Sequence, residues 1–310
     1  MKKNKKNIID NIDFISLNDE YDKKHSLMMK KLEQAVTATG FLIIKNSPIS
    51  RKAFENLLNE YKVFFKKPLK EKNKVNMSLT ESNRGWGASH SEQVNSDYNP
   101  DFKEIYDCGP EIDFNHKFKN LSYYATNIWP DDMPKLKDLA ENFYQECNSL
   151  GIQILNKIAK ILKLSDTYFS DKFDLPMALL RCNFYPERPN WAQKEDFGIA
   201  PHTDYGCLTL LFTEGDPGLE IKTLDGTWEK IISEKGDIIV NFGDMLQFWS
   251  DNQVKATQHR VIGTNKSRYS IPFFFNPRHD TIIKKNKNKP HVLAGEYLAY
   301  KYDTTYRHKL

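Results

Sequence analysis

A single residue, Thr203, separates His202 from Asp204 in the stretch Ala200-Pro201-His202-Thr203-Asp204-Tyr205-Gly206. In extended backbone successive side chains point to opposite faces, so an imidazole and a carboxylate two positions apart aim at one point. His259, in His259-Arg260-Val261, is the best-placed third donor from a distant strand. Two imidazoles and one carboxylate hold one face of a divalent ion and leave other positions open, a donor set that suits Fe(II). A lone His-x-Asp is more often a surface pair; the neighbourhood changes the balance here. Arg268 and Ser270, nine residues beyond His259, again share one face of a strand-like run. A planar guanidinium takes a carboxylate through two parallel hydrogen bonds, and a hydroxyl adds a third. The pattern is a carboxylate clamp beside a metal triad.

These residues need strands to hold them, and the second half of the chain supplies the signals. Short apolar runs at Met177–Tyr185, Gly198–Pro201, Leu208–Phe212, Leu219–Lys222, Ile238–Asn241, Leu246–Trp249, Gln258–Ile262 and Tyr269–Phe275 are separated by turn markers such as Gly215 to Gly218, Asp225-Gly226 and Gly243-Asp244. About eight such strands make a sandwich or a barrel. The first half reads differently. Helical spacing predicts a helix over 20–39 ended by Gly40, a buried strand at 41–44, and a helix capped by Ser50 that runs to Pro68. Residues 76–100 read as a loop, and helical periodicity returns after Pro134, with Gly151 a candidate boundary.

The chain has 310 residues, 39% apolar and 28% charged, with a net charge of +4. That is enough to bury a substantial core. Much of the positive charge lies in Lys2-Lys3-Asn4-Lys5-Lys6 and in the Lys284–Lys289 run, which lack interleaved aromatics, so nucleic acid is not expected as a partner. The segment Ile8–Phe14 is too short and acidic for a signal peptide, and no run reaches membrane-span length. Cys108, Cys147, Cys182 and Cys207 show no paired spacing and read as reduced thiols of a cytoplasmic protein. No glycine-rich nucleotide loop is present. A monomer acting on a small molecule is expected.

Taken together the motifs resemble the 2-oxoglutarate/Fe(II)-dependent dioxygenases, in the isopenicillin N synthase-like branch. The resemblance runs through Ile12-Asp13-Phe14, Gly40-Phe41-Leu42-Ile43, Phe64-Phe65-Lys66-Lys67-Pro68, Arg84-Gly85-Trp86, Asp101-Phe102-Lys103-Glu104, Arg181-Cys182-Asn183-Phe184-Tyr185-Pro186, Gly218-Leu219 and Asn241-Phe242-Gly243-Asp244, besides the triad and clamp. It implies a mainly β protein with flanking helices. A double-stranded β-helix (jelly roll) core would span 177–280, with an N-terminal α/β cap at 1–115, connecting helices at 116–176 and a C-terminal lid at 281–310, all in one structural domain.

The resemblance also implies Fe(II), 2-oxoglutarate as cosubstrate and O2. The chemistry would be decarboxylation of 2-oxoglutarate to succinate and CO2, coupled to hydrogen abstraction that ends in hydroxylation, desaturation or ring closure. By motif correspondence Asn183 and Tyr185 join Arg268 and Ser270 around the cosubstrate, with Leu219 and Val261 as apolar walls. Candidates for the substrate pocket are Arg84, Trp86, Tyr98, Phe102, Tyr205 and Phe274, with Arg181 either there or in a structural ion pair. Arginines near the mouth are compatible with a carboxylate-bearing, amino-acid-derived metabolite of secondary metabolism. Two readings compete. One is an Fe(II) oxidase that does not use 2-oxoglutarate, in which the Arg268–Ser270 clamp would take a substrate carboxylate instead. The other is a non-catalytic metal-binding jelly roll or Zn hydrolase, against which the clamp argues because storage and Zn hydrolysis need no dicarboxylate site.

Overall fold

The computed structural model describes residues 8–305, except 81, 94, 96, 189, 191–197, 216–217, 264–265 and 288–289. The basic run Lys2–Lys6 and the centre of the expected turn at 215–218 lie outside the described residues.

The strands form two main sheets. The larger has eight strands in the order β1 (Asp10–Asp13), β2 (Phe41–Lys45), β10 (Ile238–Phe242), β7 (Leu208–Thr213), β12 (Arg268–Phe275), β5 (Leu179–Tyr185), β4 (Glu104–Cys108) and β3 (Gly85–Gly87). The smaller has four, in the order β6 (Ile199–His202), β11 (His259–Val261), β8 (Leu219–Lys222) and β9 (Trp228–Lys230). Every pairing except the β1–β2 edge is antiparallel. The expected jelly roll is present. Its larger sheet also takes in β1 to β4, so the first hundred residues extend the sheet as well as covering it.

Alternation along the strands divides the interior in two. Leu180 and Cys182 of β5, with Ile271, Phe273 and Phe275 of β12, are fully buried in the core shared with the helices. Their neighbours on the opposite face look toward the smaller sheet, where Tyr185, Leu219, Ile221, Ile239 and Val261 make a separate apolar cluster. Burying each such large side chain contributes about 1.5–3 kcal/mol.

The helical layer is α1 (Phe14–Asn18), α2 (His25–Gln34), α3 (Arg51–Phe65), the single turn α4 (Leu69–Lys72) and α5 (Pro134–Ile161). As expected, Ser50 caps α3 by accepting from the Ala53 N–H at 3.1 Å. Gly40 ends the preceding segment at φ 72°, a left-handed conformation that glycine adopts without a Cβ penalty.

Several expectations are corrected. The first long helix starts at His25 rather than residue 20, and its last turn, Ala35–Thr39, is a π turn. Gly151 is no boundary: α5 runs unbroken for 28 residues, and the missing side chain lets the Phe275 ring lie against the helix. Within the expected loop at 76–100, β3 pairs with β4. Leu246–Trp249 is not a strand but part of α6 (Asp244–Trp249). Short apolar runs are ambiguous between the two states. Here the Asp244 N–H donates to the Asp204 carbonyl at 2.7 Å, which turns the chain out of β10 into a helix. After β12 come a two-strand pair, β13 (Ile282–Lys284) with β14 (Val292–Leu293), and α7 (Ala294–Thr305).

Candidate metal centre

β6 and β11 are antiparallel neighbours with His202 opposite His259 in register, and Asp204 follows two residues after β6 ends. The imidazole centroids lie 4.3 Å apart. Asp204 Oδ1 is 3.7 Å from His202 Nε2 and 3.6 Å from His259 Nε2. Among the described residues this is the one group of three such donors whose ligand atoms all fall within 4.8 Å of one another.

Each donor is held from behind. His202 Nδ1 lies 2.8 Å from the Ala200 carbonyl and His259 Nδ1 3.1 Å from that of Thr257. A carbonyl only accepts, so both Nδ1 atoms carry the hydrogen and both Nε2 lone pairs turn inward. Asp204 Oδ2 accepts from Thr209 Oγ1 at 2.5 Å and Asn241 Nδ2 at 2.7 Å, which leaves Oδ1 for the shared point. Burial, reinforced by the neighbouring His202, pushes His259 down to about 4 despite the Asp204 charge, so its imidazole is neutral at neutral pH. Burial works to raise the Asp204 carboxyl, but hydrogen bonds to it, that of Thr209 among them, hold it well below the usual carboxylate range. Two neutral nitrogens and one carboxylate oxygen converge, which fits a divalent ion.

Across the gap the larger sheet presents the clamp residues. β12 and β5 pair with Arg268 opposite Tyr185 and Ser270 opposite Asn183. Asn183 Nδ2 donates to Ser270 Oγ at 3.2 Å, while Asn183 Oδ1 is buried without a hydrogen-bond partner. The Arg268 guanidinium lies 4.5 Å above the Tyr185 ring. Gly218, at φ +56°, leaves the space that Arg268 Nη1 occupies; any side chain there would collide with it. Leu219 and Val261 are buried in the wall alongside. Ser270 shares a cavity wall with the three metal donors, whereas Arg268, two residues earlier on β12, is not among the described residues of that wall.

The cavity between the sheets holds about 150 Å³ and is lined by the triad, Asn183, Tyr185, Leu219, Val261 and Ser270. Of the residues expected at the substrate pocket, Tyr205, Phe274 and Arg181 line it too. Arg181 is also fully ion-paired: it donates to both Asp107 oxygens at 2.7 Å and both Glu92 oxygens at 2.8 Å. It therefore brings no unbalanced positive charge to the pocket. Trp86 belongs to the core instead, its Nε1 donating to Glu104 Oε2 at 2.7 Å beneath the Lys72–Glu104 ion pair. Phe102 packs on the His90 ring, and neither it nor Tyr98 is among the described residues of the cavity wall. Arg84 lies off the metal cavity, donating to the Asn83 carbonyl at 3.0 Å and the Tyr123 carbonyl at 2.5 Å.

Sequence reasoning passed over Glu92, Lys103, Asn241 and Tyr302, all on the wall. Strand alternation would have flagged Lys103 in place of its neighbour Phe102. Tyr302, near the end of α7, comes from a helix whose approach to the cavity no local signal records.

Known proteins share this geometry. Residues 176–277 match the model of the 2OG-Fe(II) oxygenase superfamily, and residues 9–132 match that of the non-haem dioxygenase in morphine synthesis N-terminal region. Proline hydroxylase buaE of Petromyces alliaceus is 30% identical over 89% of this chain and 89% of its own. A homoarginine-6-hydroxylase of Glycine max is 29% identical over 90% of this chain and 89% of its own. A full-length Neurospora crassa protein solved with alpha-ketoglutarate superposes with a TM-score of 0.83 at 29% identity, covering 96% of both chains. The chain belongs to the 2-oxoglutarate/Fe(II)-dependent oxygenase superfamily. It is an oxidoreductase whose cofactors are Fe(II) and 2-oxoglutarate, with O2 as oxidant.

Proposed function

We propose that His202, Asp204 and His259 bind the iron, that Arg268 and Ser270 take the far carboxylate of 2-oxoglutarate, and that the enzyme hydroxylates a small polar metabolite of the amino-acid type. The observation that carries the residue assignment is the convergence of both Nε2 atoms and Asp204 Oδ1 on a cavity that Ser270 also lines, with Arg268 two residues away on β12 and its guanidinium over the lining Tyr185 ring. When bound, iron with 2-oxoglutarate and O2 supplies the oxidising power that removes hydrogen from a substrate C–H bond.

The chain's own residues do the rest. Backbone carbonyls fix the imidazole tautomers, and Thr209 with Asn241 orients the carboxylate. Asn183 holds the Ser270 hydroxyl, and its own oxygen is left to accept from a bound ligand. Leu219 and Val261 keep water from the cosubstrate, while Tyr205 and Phe274 position the substrate over the open face of the metal. The substrate class draws on relatives named for proline and homoarginine hydroxylation, and on the small volume of the cavity. Among the described residues no helix is long and apolar enough to cross a membrane; the four free, buried cysteines support a reducing, cytoplasmic location.

The test is anaerobic addition of Fe(II) and then 2-oxoglutarate to metal-free protein. A visible charge-transfer absorption is expected only with both. Arg268→Ala should raise the 2-oxoglutarate concentration for half-formation, at a cost of about 2–5 kcal/mol for a lost buried charge partner. An unchanged requirement removes Arg268 from the clamp.

A further inference from the structure

The metal cavity does not end at its substrate side. Asn83, Glu92, Phe274, Asn276 and Tyr302 line both it and a second chamber of about 290 Å³, which continues beneath α7. Arg84 forms part of that second wall and is 2% exposed. Its charge is answered in an unusual way. Among the described residues it makes no ion pair, and its hydrogen bonds go to two main-chain carbonyls, with Nε buried and lacking a partner. A buried guanidinium without a counterion is costly.

The acids within reach are committed elsewhere. Both Asp107 oxygens accept from Arg181, and both Glu92 oxygens do the same, with Lys103 adding a contact to Glu92 at 3.2 Å. Glu111 Oε1 accepts from the Asn127 N–H at 3.0 Å. The neighbouring Cys108 thiol is pushed by burial to about 12, so it is uncharged and no counterion. Gly109 lets the guanidinium lie flat on its backbone, where any side chain would displace it. The arginine is packed into place, yet its charge is left unmatched at the wall of a chamber that opens onto the metal.

We propose that Arg84 is the anchor for a carboxylate of the substrate, which spans the two chambers with its oxidised C–H at the metal and its acid group beneath α7. This rests on the site assignment above and deepens it. The substrate class becomes a small carboxylic acid whose reacting carbon is separated from the carboxylate by the constriction at Phe274 and Tyr302. Arg181, saturated by two carboxylates, does not compete for that acid group. Placing the anion in a chamber of its own also keeps it out of the Arg268 clamp, which has to select the cosubstrate.

The experiment uses the iron-loaded enzyme with 2-oxoglutarate and a panel of cyclic, aryl and alkyl amino acids and N-acyl amino acids, each paired with its primary amide. Stimulated succinate formation and anaerobic binding by ligand-observed NMR are both read. Binding and stimulation by carboxylates are expected, with a loss of at least about tenfold on conversion to the amide. Arg84→Lys, which keeps the charge but not the planar fork, should raise half-saturation for the same acids by about tenfold. Amides that work as well as acids, or a panel in which no carboxylate binds, would overturn the proposal. Unchanged half-saturation for the acids in folded Arg84→Lys, or in Arg84→Met should the lysine variant not fold, would also overturn it. Absence of the Fe(II)–2-oxoglutarate absorption in wild-type protein would instead overturn the site assignment, so the two failures are distinguishable.

Discussion

At the scale of single residues, the candidate metal centre is preorganised because the polar atoms turned away from the shared point are already occupied. Asp204 illustrates this: Thr209 and Asn241 hold one oxygen, so the other has one direction left. Replacing Asp204 by Ala removes that donor and strands two partners. The variant should remain folded but retain far less iron after desalting and form no succinate, measured by metal analysis and product assay. Near-normal turnover in the variant would sink the triad assignment. Arg268 and Ser270 could be nominated together because alternation within a strand is a local rule and both lie in β12, whereas Asp204 lies past the end of β6 and comes beside His202 and His259 through the turn that follows. Trp86 was not legible as core, since an aromatic next to an arginine reads the same whether it faces a pocket or, as here, the Glu104 carboxylate.

At the scale of elements, two helices matter most. α5 supports the larger sheet from behind, and Gly151 sits where the Phe275 ring meets it; a Cβ added there would lie 2.6 Å from the ring. Gly151→Ala should therefore lower stability by about 1–3 kcal/mol through overpacking, despite the better helix propensity of alanine. A melting temperature equal to or above wild type would show that the ring yields freely. α7 closes the other side. Tyr302 packs edge-on to Tyr205 at 5.7 Å, and Lys301 pairs with Asp244 of α6 at 2.6 Å. If α7 acts as a lid, Tyr302→Ala admits water and raises 2-oxoglutarate consumption without substrate. Consumption unchanged from wild type would make the helix a fixed wall. Resemblance alone points to a lid at 281–310, and the helix itself gives little sign, because Ala294–Thr305 has a weak apolar stripe.

At the scale of the whole molecule, a buried charge network ties the N-terminal half to the jelly roll. Arg181 of β5 reaches Asp107 of β4 and Glu92, and Lys103 reaches Glu92 and Asp101, whose Oδ1 accepts from the Ala200 N–H of β6 at 3.4 Å. Burial works to raise the Glu92 carboxyl, but the charges of Arg181 and Lys103 outweigh it and lower it from 4.5 to about 2. A depressed carboxyl contributes stability that is complete above its unfolded value and lost as pH falls through the folded one. Glu92→Gln should therefore be destabilised most above pH 4.5, with the gap to wild type narrowing toward pH 2. Asp101 and Asp107 are both raised by burial and in part by the Glu92 charge, so the substitution also relieves them. Denaturant unfolding at stepped pH measures it, and a gap independent of pH would assign Glu92 a packing role only.

The sequence by itself nominated the metal donors and the clamp and pointed to a β core through two-residue spacing and short turn chemistry, while the reaction class came from the resemblance of motifs spread along the whole chain. Only the tertiary structure decided that Leu246–Trp249 is helical, that β1 to β4 complete the larger sheet, and that Arg181 is neutralised while Arg84 is not. Those outcomes depend on contacts between residues far apart in the chain, such as the Asp244 N–H with the Asp204 carbonyl, Ile238 with Ile44 across β10 and β2, and Asp107 with Arg181. No local pattern encodes which acid will meet which base. Charge in a folded protein is read from neighbours in space, and the chain places those neighbours far apart.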